Sequence, residues 1–381
     1  MENIKFERLK KDDCKELVDF LNRIFSAHNG KKMDFEKRYP RIFKPEDENM
    51  SWHLGAKANG NLCGIAASYP LKLRVGGREL NVSAGGNIAV DENVRGQGVM
   101  GSLLTRLDKE NRAHNFDICY LHGDRFRYGN YGYELCGIEY VFYISASMLR
   151  NKQLRHNLSY ADIRQQDEVF LKRVFAFYNT QKTYLVRDFK GFLDALTAKE
   201  KIPVAVLSED KNVIGYFCID DQNAISEIHI SNSALFAEVM KTYMEKNGIK
   251  NLSISLPAFS PLFMPALHYC SGYRIIQPAN FKILNFKNVV ESFMHEKCRY
   301  DYLPDGSLTI DSDVFGTWEI KKEGAEISVN PFNGKADIHL EGIDVYQFIF
   351  GPCPPLCKSE NKSSLLAKAW FPLPLFCPYL T

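Results

Sequence analysis

Apolar positions along the chain alternate between a helical and a two-residue period, and each change of period marks a new element. Leu17, Leu21, Ile24 and Phe25 recur at i, i+4, i+7 and i+8, which predicts a one-sided helix over residues 11–27. Two predicted strands at 52–57 and 62–69 are joined by Asn59-Gly60, and two more at 71–75 and 80–90 by Gly76-Gly77, both pairs reading as hairpins. Helical spacing returns with Met100, Leu103, Leu104 and Leu107 on one face, before a further strand at 118–121. Helix, antiparallel strands, then strand, turn, helix and strand is an α+β order, not that of a doubly wound sheet.

From about residue 158 the same order repeats in weaker form. A helix at 168–178, strands at 204–207, 213–219 and 225–230, a helix at 233–246 and a strand at 252–256 are predicted. Past Phe281 come short strands at 307–310, 316–321, 326–330 and 336–340. Asp305-Gly306, Glu323-Gly324 and Asn333-Gly334 mark turns of a curved antiparallel sheet, with a helix at 342–350 after it. The last stretch, 370–381, is too apolar for a solvated tail and too rich in proline for a helix, so it predicts a buried extended segment. These restarts divide the chain at 1–150, 151–280 and 281–381.

The chemistry concentrates in the turn after Ile88-Ala89-Val90, which reads Asp91-Glu92-Asn93-Val94-Arg95-Gly96-Gln97-Gly98-Val99-Met100-Gly101. Its glycines let backbone approach a ligand closely. The first turn of the helix behind it offers unpaired N–H groups and roughly half a positive charge, a cradle for pyrophosphate. The Lys-Ser/Thr ending of a nucleotide P-loop is missing. Gly96-x-Gly98-x-x-Gly101 matches the dinucleotide pattern formally, but it follows hairpins, and no acidic residue ends a second parallel strand about 20 residues on. A purely structural glycine turn stays open beside these. In the second copy the corresponding turn, Ser231-Asn232-Ser233-Ala234, has neither glycine nor a basic residue, which predicts a degenerate copy that shapes the cleft.

Arg95-Gly96-Gln97-Gly98-Val99-Met100 resembles the R/Q-x-x-G-x-G/A motif of the GNAT superfamily of N-acetyltransferases, with Met100 in place of the last small residue. Tyr128-Gly129-Asn130-Tyr131-Gly132-Tyr133 resembles the Y-G-x-F-G-Y segment of the Eis (enhanced intracellular survival) branch. The resemblance implies two GNAT-like mixed-sheet domains in tandem, then a sterol-carrier-like α/β domain, and a homo-oligomer. It implies acetyl-coenzyme A as co-substrate, held by Ile88, Ala89, Val90, Arg95 to Gly101 (Arg95, Gly96, Gln97, Gly98, Val99, Met100, Gly101), Tyr128 and Gly129. The strand carrying Ile88 to Val90 would splay from 118–121 so that the cofactor supplies the missing partner. Tyr133 would be the general acid, although its spacing equally suits an aromatic packed beside Tyr128 and Tyr131. The carboxylate of Thr381 would be the base, with Asp91, Glu92 and His122 as alternatives.

Composition narrows the classes. With 381 residues, 45% hydrophobic, the chain can bury a large core in two or three domains. Lys and Arg (48) balance Asp and Glu (46), so charge points neither to nucleic acid nor to an anionic membrane. No apolar run approaches the ~20 residues of a membrane span, and the first residues lack a signal-like apolar core. Ten scattered cysteines suit reduced thiols in the cytoplasm. Cys353-x-x-x-Cys357 with Cys377 lacks a second ligand pair, so no metal is assigned. Two functional readings result: an acetyltransferase acting on a primary amine of a small molecule or lysine side chain, and a non-enzymatic binding protein for an apolar ligand or protein partner on the same scaffold.

Overall fold

The computed structural model describes residues 4–353 and 362–377. In chain order the strands are β1 (Ile4–Arg8), β2 (His53–Ala58), β3 (Asn61–Val75), β4 (Arg78–Val90), β5 (Ile118–Leu121) and β6 (Glu134–Cys136). They continue with β7 (Glu139–Ser145), β8 (Ser159–Asp162), β9 (Tyr184–Val186), β10 (Ile202–Leu207), β11 (Val213–Ile219) and β12 (Ala224–Ile230). After β13 (Asn251–Leu256), β14 (Gly272–Ile276) and β15 (Ala279–Ile283) come β16 (Gly306–Ser312), β17 (Gly316–Glu323), β18 (Glu326–Pro331) and β19 (Ile338–Leu340).

Three sheets result. The first runs β1-β2-β3-β4-β5-β15-β6, with β9 added to β3. The second runs β14-β7-β13-β12-β11-β10-β8 and the third β18-β17-β16-β19. The two mixed α/β sheets in tandem carry the expected fold class. Divisions at 150 and 280 do not follow them, because β7 lies in the second sheet and β15 returns to the first, between β5 and β6. Local periodicity marks a strand but says nothing of which sheet receives it.

The opening helix, Cys14–Asn29, buries Leu17 and Leu21 and closes on left-handed Gly30. The strands expected at 62–69 and 71–75 are one continuous β3. Pro70 sits between the part that pairs with β2, up to Ala67, and the part that pairs with β9, from Lys72, so its missing N–H interrupts no ladder on that side. In the third sheet β19 joins β16 in parallel, so the sheet is mixed where an antiparallel one was expected; the chain crosses over after β18 before it returns. The helix that follows is Asp344–Phe350.

A single apolar cluster spans the first and third sheets. The helix Phe286–Lys297 supplies Val289, Val290 and Phe293 to it, all fully buried. Burying side chains of this kind contributes roughly 1.5–3 kcal/mol each. Helix Val99–Ala113 packs tightly on β3 because Gly64 leaves room for it: a Cβ there would lie 2.8 Å from Val99 Cγ1. That contact fixes where the helix, and therefore the turn before it, meets the sheet.

Candidate active site

The site begins with a bulge. The β3–β4 register jumps from Ile65 opposite Ala89 to Ala67 opposite Gly86, and Asn87 between them takes a left-handed φ of +53°. Asn87 Nδ2 donates to the Tyr69 hydroxyl, which in turn lies 3.1 Å from His53 Nε2; His53 Nδ1 lies 3.1 Å from the Asn49 carbonyl. The bonds are mutually consistent if His53 is neutral, donates from Nδ1 and accepts the Tyr69 proton at Nε2. Burial pushes its pKa down to about 4, in agreement.

Strand β4 pairs with β5 only at Val82, Ser83 and Ala84. Among the described residues the β5-facing edge of Gly85 to Val90 therefore carries no strand, and Ile88, Ala89 and Val90 lie along this open edge. The expected splay between the two strands is present.

The edge leads into the turn. Asp91 accepts from the Asn93 N–H at 3.1 Å and pairs with Arg23 at 2.8 Å, which together hold its carboxyl below the usual range. That carboxylate is engaged in capping the short 3₁₀ turn Glu92–Val94. Arg95, Gly96, Gln97 and Gly98 are exposed. Gly96 and Gly98 have φ of +80° and +76°, and a Cβ on either would meet no atom within 4 Å. Among the described residues, the N–H groups of Gly96, Gly98, Val99, Met100 and Gly101 donate to no protein acceptor. They cluster at the positive end of a helix 15 residues long. Val99 is buried against β3, while the Met100 side chain packs beside Ile88, Leu104 and Leu121.

The aromatic run closes the other wall. Asp124 caps the short helix Arg125–Gly129, and Tyr128 is buried against Gly123, Leu104 and Leu121, so its ring serves packing. Tyr131 covers the first turn of helix Val99–Ala113: a Cβ on Gly101 would lie 3.1 Å from its hydroxyl. Tyr133 is half-buried, its hydroxyl has no hydrogen-bond partner among the described residues, and burial raises its pKa well above that of a free phenol.

Lys282 Nζ stands 5.8 Å from the Tyr133 ring centroid, bonds the Tyr131 carbonyl at 2.8 Å and pairs with Asp108 at 2.6 Å. No local sequence pattern marks Lys282, which lies on β15, after the strands of the second copy. Only its register opposite Cys119 of β5 brings it here.

The C-terminal segment reaches the same place. After helix Lys362–Trp370, residues 371–377 run extended and buried, with the Leu375 carbonyl accepting from Ile138 N–H at 2.7 Å. Trp370 belongs to that helix rather than to the extended segment, which starts one residue before Pro372. Cys377 Sγ lies 3.9 Å from His122 Nε2 at the end of β5. His122 is open to solvent yet enclosed by protein on most sides, and burial with nearby Lys199 lowers its pKa to about 4. Thr381 lies outside the described residues.

These features can be set beside known proteins. Residues 5–136 match the acetyltransferase (GNAT) domain. The GNAT match ends with β6 and so contains the bulge, the open edge, the glycine turn and the aromatic run. In fold the likeness extends over the whole chain. A GCN5-related N-acetyltransferase from Anabaena variabilis ATCC 29413 superposes with a TM-score of 0.70 at 14% identity, covering 99% of this chain and 98% of that one. Eis1 from Mycobacterium abscessus gives 0.68 at 13%, covering 98% of each. A probable N-acyltransferase of unknown function from Enterococcus faecalis V583 gives 0.65 at 13%, covering 90% and 88%. No curated protein matches the sequence. Among the described residues no helix is long and apolar enough to cross a membrane, and no His, Cys, Asp or Glu group is arranged to hold a metal.

Proposed function

We propose that the protein is an acetyl-coenzyme A-dependent N-acetyltransferase that modifies a primary amine of a small molecule or a lysine side chain. The observation that carries this reading is the junction of β4 with helix Val99–Ala113, where a strand edge without a partner among the described residues leads straight into a left-handed glycine turn, and where the N–H groups of Gly96, Gly98, Val99, Met100 and Gly101 have no acceptor among the described residues. An amide-bearing pantetheine arm suits the edge at Ile88, Ala89 and Val90. A pyrophosphate suits the turn, and Arg95 adds a cation beside it.

In this reading the amine nitrogen attacks the thioester carbonyl carbon, a C–N bond forms and the C–S bond breaks. Tyr133 donates its proton to the departing sulfur, for which a protonated phenol whose hydroxyl has no partner among the described residues is suited. The Lys282 ammonium lies 5.8 Å from the Tyr133 ring centroid, paired with Asp108. The amine must lose a proton to a base. Asp91 is engaged in a cap and an ion pair, which leaves Glu92, His122 and the carboxylate of Thr381 as candidates. The carboxylate of Thr381 remains the leading base, since the chain four residues before it already lies beside His122.

The sterol-carrier-like reading of residues 281–381 rests on the third sheet and its helices. Homo-oligomer formation finds support in Tyr273 and Ile275, exposed apolar side chains on one face of β14 at the edge of the second sheet. The deciding experiment incubates the full chain with acetyl-coenzyme A and a panel of amines and follows thiol release. Release that depends on an amine supports the reading, and cofactor binding without release for any amine overturns it.

A further inference from the structure

The second sheet parts in the same way as the first. Strand β12 pairs with β13 in parallel only at Ala224 and Ile225, opposite Ser253 and Ile254. Beyond them the β13-facing edge of Ser226 to Ile230 carries no strand among the described residues. As in β4, the parting coincides with an irregularity in the antiparallel partner: the β11–β12 register shifts between Cys218 and Ile219, which skips Ser226.

A cavity of about 420 Å³ fills the opening, walled by Ser226 and Ile228 on one side, Ser255 and Pro257 on the other, and Phe259 and Phe376 beyond. Its size suits a ligand of a few residues. The Ser226 hydroxyl in its wall is shielded from solvent and has no hydrogen-bond partner among the described residues. A buried hydroxyl left unpaired costs free energy that a ligand's polar group would recover once a small shift of the wall exposes it.

Two features decide what the cavity takes. It lacks the phosphate cradle of the first cleft: the turn before helix Phe236–Asn247 has no glycine, and Asn232 already accepts the Ala234 N–H at 3.0 Å. A second coenzyme is therefore excluded, while the open strand edge remains. Its acidic groups are also already neutralised. Glu227 makes a two-pronged pair with Arg187 at 2.9 Å on each arm and accepts from the Tyr216 hydroxyl, and Glu296 pairs with Arg299 at 2.9 Å. Burial lowers the pKa of His229 to about 4, leaving it neutral. Among the described residues, a polyamine or an aminoglycoside-like polycation would meet no uncompensated carboxylate here. An extended chain of amides with apolar side chains would find strand edges, a hydroxyl and aromatic rings.

The two clefts adjoin at the C-terminal segment. The Phe376 ring lies 5.1 Å from Phe259 in the cavity wall, and the thiol of the next residue faces His122 at the end of β5. Taking acetyl transfer at the first cleft as given, we propose that the β12–β13 cleft binds the acceptor as an extended peptide, paired strand-fashion with the open edge, and that the substrate is a peptidyl amine rather than a free polycation.

The test uses the full chain and a pentapeptide of lysine, alanine and phenylalanine carrying fluorescein at its C-terminus, with binding read by anisotropy without acetyl-coenzyme A. The peptide should bind saturably. Replacing alternate amides by esters, filling the cavity with Ser255→Phe, or removing the hydroxyl with Ser226→Val should each weaken binding, the first two by about ten-fold or more. Spermine should not displace the peptide. If Ser255→Phe does not fold, the ester series on the unaltered protein and Ser226→Val carry the test. Equal affinity for peptide and ester analogue, or displacement by spermine, overturns the proposal. Acetylation of small amines without peptide binding overturns this site and leaves the acetyltransferase reading intact. Ester-sensitive peptide binding with no thiol release from any amine does the reverse.

Discussion

Tyr133 shows how one residue can be read in two ways until its surroundings are known. Spacing allowed a packed aromatic or an acid; in the structure burial keeps the Tyr133 phenol protonated and its hydroxyl has no hydrogen-bond partner among the described residues, which supports the proposed role as acid. Tyr133→Phe should therefore lower kcat by roughly 10²–10⁴ with little change in acetyl-coenzyme A affinity, checked by steady-state kinetics beside calorimetric titration. Gly98 carries a sharper constraint than the motif alone implied. At φ +76° a β-branched residue meets left-handed strain of roughly 1–2 kcal/mol, although a Cβ there touches nothing. Gly98→Val should weaken acetyl-coenzyme A binding in a protein that still folds, and an unchanged dissociation constant by calorimetry would remove the turn from the cofactor site. A few residues added after Thr381 convert its carboxylate to an amide that neither carries charge nor takes a proton at neutral pH. Turnover of the best amine should fall at unchanged melting temperature; wild-type turnover would mean that Thr381 is not the base.

At the scale of elements, the bulge in β4 depends on a buried chain of bonds from Asn49 through His53 and Tyr69 to Asn87. This support for the open edge is also a source of acid sensitivity. The folded-state pKa of His53, about 4, lies below the ordinary 6.5, so between these values the unfolded chain binds a proton that the folded chain does not. Its contribution is fully present above pH 6.5 and is lost as pH falls toward 4, by about 2 kcal/mol between pH 7 and pH 5. Urea unfolding at the two pH values should show a smaller loss in His53→Gln than in the wild type; equal losses would mean that His53 titrates normally. Most elements of the site were legible. The glycine turn, its helix and the strands around them follow from periodicity and turn residues, because those signals are local. The bulge was not, since it is a difference in count between two strands and appears in neither strand alone.

Over the whole molecule, the exchange of β7 and β15 ties the two larger sheets together. A fragment of residues 1–150 lacks β15, which leaves β5 and β6 without their shared partner and removes Lys282 from beside Tyr133. That fragment should fail to fold alone, seen as a circular dichroism spectrum without a cooperative thermal transition; a cooperative transition would show that the GNAT match is self-sufficient. The sequence by itself determined the α+β order, the turn that ends on Gly98, the weaker second copy and a buried C-terminal segment, because each depends on the period or the backbone freedom of residues close together in the chain. Tertiary structure alone decided that β15 inserts between β5 and β6, that Lys282 stands over Tyr133, and that both sheets open beside the same C-terminal segment. Strand pairing is a contest among distant segments with similar patterns, and it is settled by which register buries the shared core and satisfies the backbone.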